Sequence, residues 1–226
     1  MNNEDSIRTA VQDDRGIFVL ADGLGGHDSG EVASAIAAET ILNGSLAAPA
    51  LDETTLKEHF EEANRQILKG QESPGQEDMK TTAAALAIEA DHAYWTHIGD
   101  SRIYHFSQDQ LAGITRDHSV TYMKDLGGEI SYLDIYHDDD RSSLLRVLGK
   151  PKCQPETGEA RLLPGDAFLL ASDGFWEFVY HEEMQLDLLK SETPEQWVQL
   201  MLLRHIRRTP PGNDNFSVIA VFVEEE

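Results

Sequence analysis

The chain has 226 residues, 40% of them apolar, which suits one large domain with a sizeable core. Eighteen Lys and Arg against 41 Asp and Glu give a net charge of −23, and this excludes a general nucleic-acid binder, because such binding depends on cations neutralising phosphates. A single cysteine, Cys153, excludes an internal disulfide and a cysteine-based zinc site; no apolar run approaches the roughly 20 residues that span a bilayer, and the start MNNEDSIRT does not read as a signal peptide, so a cytoplasmic protein with no membrane partner is expected.

In chain order, GIFVLA at 16–21 is a short apolar run ending in Asp22 and reads as a buried strand. Residues 31–42 are Ala-rich with helical periodicity; Asp28 is the expected N-cap, Glu31 completes a capping box, and Asn43-Gly44 is the expected stop. A second helix fits 53–70, and a polar loop fits 72–78. Strands follow at 81–88, 92–97 and 102–106, separated by the turn-like Glu89-Ala90-Asp91 and Gly99-Asp100-Ser101. A further pair, 159–163 and 167–171, flanks the turn tripeptide Pro164-Gly165-Asp166. Helices fit 182–190 and 194–208, and a last strand fits 215–223. Strands and helices come in blocks joined by tight hairpins, so the expected class is α+β, a sandwich of mostly antiparallel sheets covered by helices. Residues 119–150 lack a strand pattern, are polar around 137–141, and read as a surface insertion in a single domain spanning 1–226.

Four acids share a setting: each ends an apolar strand or sits in a glycine-containing turn beside one. Asp22 ends FVLAD, Asp100 lies in GDSR, Asp173 ends AFLLASD, and Asp214 opens the final strand in GNDN. Each Asp-Gly alone is an ordinary turn dipeptide. Several buried carboxylates together imply cations among them, since an isolated buried carboxylate is very costly. Oxygen ligands favour Mg²⁺ or Mn²⁺ over Zn²⁺, and the nine histidines show no metal-ligand spacing.

The blocks DGLGGHDSGEVAS (22–34), KTTAAALAI (80–88), HIGDSRIYHF (97–106), ITRDHS (114–119), LLRVLG (144–149), LLASDGFWE (169–177) and DNFSVIAV (214–221) resemble, in order and spacing, the signatures of the metal-dependent PPM (type-2C-like) protein phosphatases of bacterial type. Asn3-Glu4-Asp5 resembles the family's first acidic block, so the likeness covers about residues 2–223.

The resemblance implies a four-layer αββα sandwich, two mainly antiparallel sheets between helix pairs, with a metal cluster at one sheet edge. It implies that Asp22 bridges two ions and that the Gly23 carbonyl binds the second. Asp173 and Asp214 then complete the first ion's shell, and Asp5, or Glu4 beside it, binds near the second. Asp100 holds a third, weaker ion with Asp173. The cofactor is thus Mn²⁺ or Mg²⁺, two ions tightly bound and a third weaker. The implied reaction is hydrolysis of phosphoserine and phosphothreonine in proteins by a hydroxide bridging two metals, opposing Ser/Thr kinases. Asp22 and His27 are the catalytic candidates. His27 either protonates the leaving group or positions water, and a turn histidine bonded to backbone stands beside that reading.

Other block residues read as structural. Thr81 and Thr82 start a strand, His97 packs beside it, Arg102 and Arg116 anchor loops through salt bridges, and Trp95 and Trp176 belong to the core. Residues 119–150 resemble the family's flap. The sequence departs from the family in two places. An upstream strand with a phosphate-binding arginine would precede Met1, and its absence should weaken phosphate binding and leave a sheet edge uncovered. Lys80 stands where the family often has Gly, either as a cation near the cleft or as a surface lysine. The expected partners are a phosphorylated protein substrate and a cognate kinase, for a monomeric enzyme. Two other functions stay open: a catalytically weak pseudophosphatase that binds phosphoproteins or a kinase, and a phosphatase for small phosphoesters.

Overall fold

A computed structural model describes residues 3–12, 15–25 and 29–224. Two antiparallel sheets lie at its centre. The first runs β1 (Asp5–Gln12), β2 (Arg15–Leu24), β4 (Ala83–Glu89), β5 (His92–Ile98), β8 (Glu156–Arg161), with the short β3 (Lys80–Thr81) pairing the end of β2. The second runs β10 (Val218–Phe222), β9 (Ala167–Ala171), β6 (Arg102–Ser107), β7 (Gln110–Ile114).

The period-2 alternation of the strands builds three apolar layers. Ile17, Val19 and Ala21 of β2, with Ala83, Ala85 and Ala87 of β4, face α1 (Ser29–Ala47) and α2 (Glu53–Gly70). Leu20, Ala84 and Leu86, one residue out of phase, face Ile103, Phe168 and Leu170 of the second sheet. Leu169 and Ala171 point the other way, toward Phe175 and Trp176 of the single-turn α4 (Asp173–Trp176), Met184 of α5 (His181–Leu188), and Trp197 and Met201 of α6 (Pro194–Arg208). This is the expected αββα sandwich.

Several local expectations need correction. Gly44 does not stop the first helix, which continues to Ala47. A Cβ on Gly44 would lie 2.6 Å from the His59 ring, so glycine serves the close approach of α2 rather than a terminus. Asp28, expected as N-cap, lies outside the described residues. Two presumed hairpins are sheet crossings: β5 and β8 pair with each other in the first sheet, whereas β6 and β9 pair in the second. The turns at 99–101 and 164–166 therefore carry the chain between layers. The strand expected at 159–163 begins three residues earlier, and the final strand covers only Val218–Phe222. β1 and β7 were not expected. Residues 119–150 contain no strand of either sheet; they hold α3 (Val120–Leu126) and a 3-10 turn at Tyr132–Tyr136.

Candidate metal centre

The β1–β2 ladder sets Asp5 directly opposite Asp22. Asp22 is fixed through its backbone: its N–H donates to Thr82 Oγ1 at 3.2 Å, and its carbonyl accepts from Thr81 Oγ1 at 2.7 Å and from the Thr82 N–H at 2.9 Å. These bonds fix its backbone without using the carboxylate oxygens. Gly23 has no room for a side chain, since a Cβ would lie 2.2 Å from the Gly30 carbonyl oxygen; its N–H donates to the Glu4 carbonyl at 3.1 Å.

The crossing turn at 99–101 brings Asp100 to the same place, and it is only 4% exposed. Asp173 opens α4 at the end of β9, and Gly174 packs so tightly on Asn215 that a Cβ would meet its carbonyl oxygen at 2.0 Å. That contact ties the Asp173 loop to the Asp214 loop. The Glu4 N–H donates to Asn215 Oδ1 at 2.9 Å, and Ser172 Oγ donates to Asp5 Oδ2 at 3.2 Å while accepting from the Ser217 N–H.

Asp22, Gly23, Asp100, Asp173 and Asp214 line one cleft of about 360 Å³, together with Glu4. Asp5 sits behind this wall beside Asp22, with its Oδ1 buried and unpartnered. Of the first acidic block, Glu4 reaches the cleft surface and Asp5 adjoins it from beneath. Among the described residues no Lys, Arg or His lines the cleft. Lys80, the candidate replacement cation, lies 3.7 Å from Asp78 and does not line it. His27 lies outside the described residues.

Burial and mutual repulsion act in one direction here. Burial, then the charges of Asp173, Asp5 and Asp100, raise the Asp22 carboxyl well above its ordinary 3.8. Burial and Asp173 do the same to Asp100, burial raises Asp5, and burial with Glu177 pushes Asp173 up to about 6. An oxygen-only donor set, an orphaned buried carboxylate oxygen and uncompensated like charges fit hard divalent cations.

A second group has metal-ligand composition: His97, His118 and Glu156, whose donor atoms lie within 4.8 Å of one another. Its geometry is wrong for one ion. The two imidazoles are stacked at 4.8 Å with planes 10° apart, so the rings lie face to face rather than edge-on to a shared point. His118 Nδ1 accepts from the Gly99 N–H at 3.1 Å, which puts the ring proton on Nε2, the nitrogen facing Glu156. The pair is structural, as expected for His97, whose Nε2 donates to the Arg116 carbonyl. The residues behind the cleft that sequence reasoning passed over are Thr82 as a backbone clamp, Ser172 and His118; all three stand inside the quoted blocks as plain polar residues, Ser172 directly before Asp173.

Residues 1–205 match the protein phosphatase 2C family. The serine/threonine phosphatase stp of Listeria welshimeri is 34% identical over 218 residues, covering 93% of this chain and 85% of that protein. The fold superposes on the serine/threonine phosphatase Stp1 of Staphylococcus aureus with a TM-score of 0.89 at 27% identity, covering all of this chain and 91% of that one. It also superposes on the catalytic domain of the serine/threonine phosphatase PstP in complex with two manganese ions, with a TM-score of 0.84 at 26% identity and coverage of 97% and 91%. The chain belongs to the protein phosphatase 2C family of metal-dependent phosphatases, and to its bacterial type.

Proposed function

We propose that this protein hydrolyses phosphoserine and phosphothreonine in proteins at a centre of two divalent cations, Mn²⁺ or Mg²⁺. The observation that carries this reading is the convergence of carboxylates from both sheets on one cleft with no cationic side chain among its described lining residues. Asp22 would bridge the two ions, Gly23 would offer its carbonyl, Asp173 and Asp214 would complete one shell, and Asp5 or Glu4 would stand at the other. Asp100 with Asp173 would hold a third, weaker ion. Cations bound there supply charge against a phosphoryl group and lower the pKa of bound water toward neutrality. The chain's own part is rigidity: Thr81 and Thr82 hold Asp22 by its backbone, and the Gly174–Asn215 contact fixes Asp173 against Asp214. Because burial raises these carboxyls, loading releases protons and strengthens with pH.

His27 remains the candidate that protonates the leaving oxygen. The remaining parts of the reading are a single domain over 1–226 with a flap at 119–150, action opposite a Ser/Thr kinase, and a monomer in the cytoplasm; no helix among the described residues is long and apolar enough to cross a membrane. The test is turnover of a phosphothreonine peptide with Mn²⁺ or Mg²⁺, with and without EDTA, for wild type and Asp22→Asn. Metal-dependent turnover that falls at least ~100-fold in the variant is expected. A folded protein that binds Mn²⁺ and the phosphopeptide without turnover would overturn it in favour of a pseudophosphatase.

A further inference from the structure

The turn bearing Asp100 is held at every residue by a different part of the fold. Ser101 Oγ is hydrogen-bonded to Thr82 Oγ1 at 2.7 Å. The Asp100 carbonyl accepts from Trp176 Nε1 at 2.9 Å. Gly99, at φ +101, is gripped twice by one residue: its N–H donates to His118 Nδ1 at 3.1 Å, and its carbonyl accepts from the His118 N–H at 2.9 Å. A side chain at 99 would strike Thr82 at 2.6 Å, so the turn has no slack on its inner side.

His118 belongs to the segment 116–119, which also reaches the far side of the turn. Asp117 takes the Arg102 guanidinium in a two-point grip at 2.8 and 2.7 Å, and that guanidinium lies 3.4 Å over the Trp176 ring. The same segment runs into the cleft wall. The His118 carbonyl accepts from the Leu145 N–H at 2.8 Å, Ser119 bridges to Leu144, and Ser119 Oγ caps α3. Leu144 lines the same cleft as the carboxylates.

We propose that His118 is a positioning residue for Asp100: its Nδ1 acceptor and backbone N–H fix Gly99, and so set where the Asp100 carboxylate meets a cation, in register with the Leu144 wall. The proposal rests on the reading of Asp100 as a ligand of the weaker ion. It assigns the function to Nδ1 and not to Nε2, which faces Glu156.

Two polar replacements separate those nitrogens. Asn at 118 places an amide oxygen where Nδ1 stands and keeps the Gly99 bond. Gln reaches toward the Nε2 position and loses it. Mn²⁺ affinity is measured by calorimetry and the Mn²⁺ dependence of phosphopeptide turnover by kinetics, in the native and Asp100→Asn backgrounds, with thermal unfolding as a check on the fold. The expected result is that His118→Gln weakens the weakest Mn²⁺ binding step about tenfold. His118→Asn stays close to wild type, and in Asp100→Asn the two variants no longer differ from each other or from the parent. Equal behaviour of Asn and Gln, or a Gln loss that persists without the Asp100 carboxylate, overturns the proposal, since coupling must vanish when the partner is removed. If Asp100→Asn alone leaves every Mn²⁺ step unchanged, both the ligand assignment of Asp100 and the proposal fall. If wild type binds no Mn²⁺, it is the proposed metal centre that fails.

Discussion

Two buried polar regions lie side by side in this molecule and are built on opposite plans. In the cleft, Asp5, Asp22, Asp100 and Asp173 crowd together, and every shift raises their carboxyls. Behind it, Arg102, only 1% exposed, is fully matched by Asp117 and by the Trp176 face, while the neighbouring His97 and His118 are held neutral by burial. In the second region the buried charges are paired as folded. The first is complete only with something positive in it. A buried ion pair and a buried like-charge cluster are both polar, but only the cluster asks for a ligand.

The comparison breaks most visibly at Arg102. Replacing it with Met strands Asp117 in the core, and the expected loss is about 3–5 kcal/mol of unfolding free energy by denaturant titration. By contrast, Asp173→Asn in the cleft should stabilise the metal-free protein, because it removes a charge that repels its neighbours. A destabilised Asp173→Asn would place that residue among the paired groups instead.

The pH dependence sharpens the same contrast, with opposite signs. In the cleft the folded Asp173 titrates at about 6, above its ordinary 3.8, so the folded state binds more protons between those values. Metal-free stability therefore falls as pH rises through that window. Burial, then His97, pushes His118 down to about 4 from 6.5, so there the unfolded state binds more protons, and this contribution is present above 6.5 and lost as pH falls toward 4. In EDTA, the advantage of Asp173→Asn over wild type should be largest near pH 7 and vanish by pH 4. His118→Asn should flatten the acid-side loss without changing the neutral plateau. The smallest expected effect is at Lys80: among the described residues its ion-pair partner is the exposed Asp78, and Lys80→Ala should leave KM for a phosphopeptide unchanged.

Sequence made the layers legible because β2, β4 and β9 carry runs that are apolar on both faces, the mark of strands between two layers. β1 escaped notice because DSIRTAVQ is an edge strand with polar residues on both faces, and β7 because its five residues are mostly exposed. The four strand-end carboxylates stood out by their glycines, and the fold brings Asp22, Asp100, Asp173 and Asp214 to one cleft. What could not be read was how Asp100 gets there. GDS looked like a hairpin turn, and only tertiary pairing shows that it crosses from one sheet to the other. His118 could not be told from a packing histidine, since its partner Gly99 lies 19 residues away.

Calorimetric titration of the metal-stripped protein with Mn²⁺ at pH 7.5, for wild type and Asp22→Asn, tests the cleft most directly. Binding of at least two ions with release of protons, weakened at least ~100-fold by the substitution, is the predicted result. Absence of binding by a folded wild type, or binding indifferent to Asp22, would contradict it.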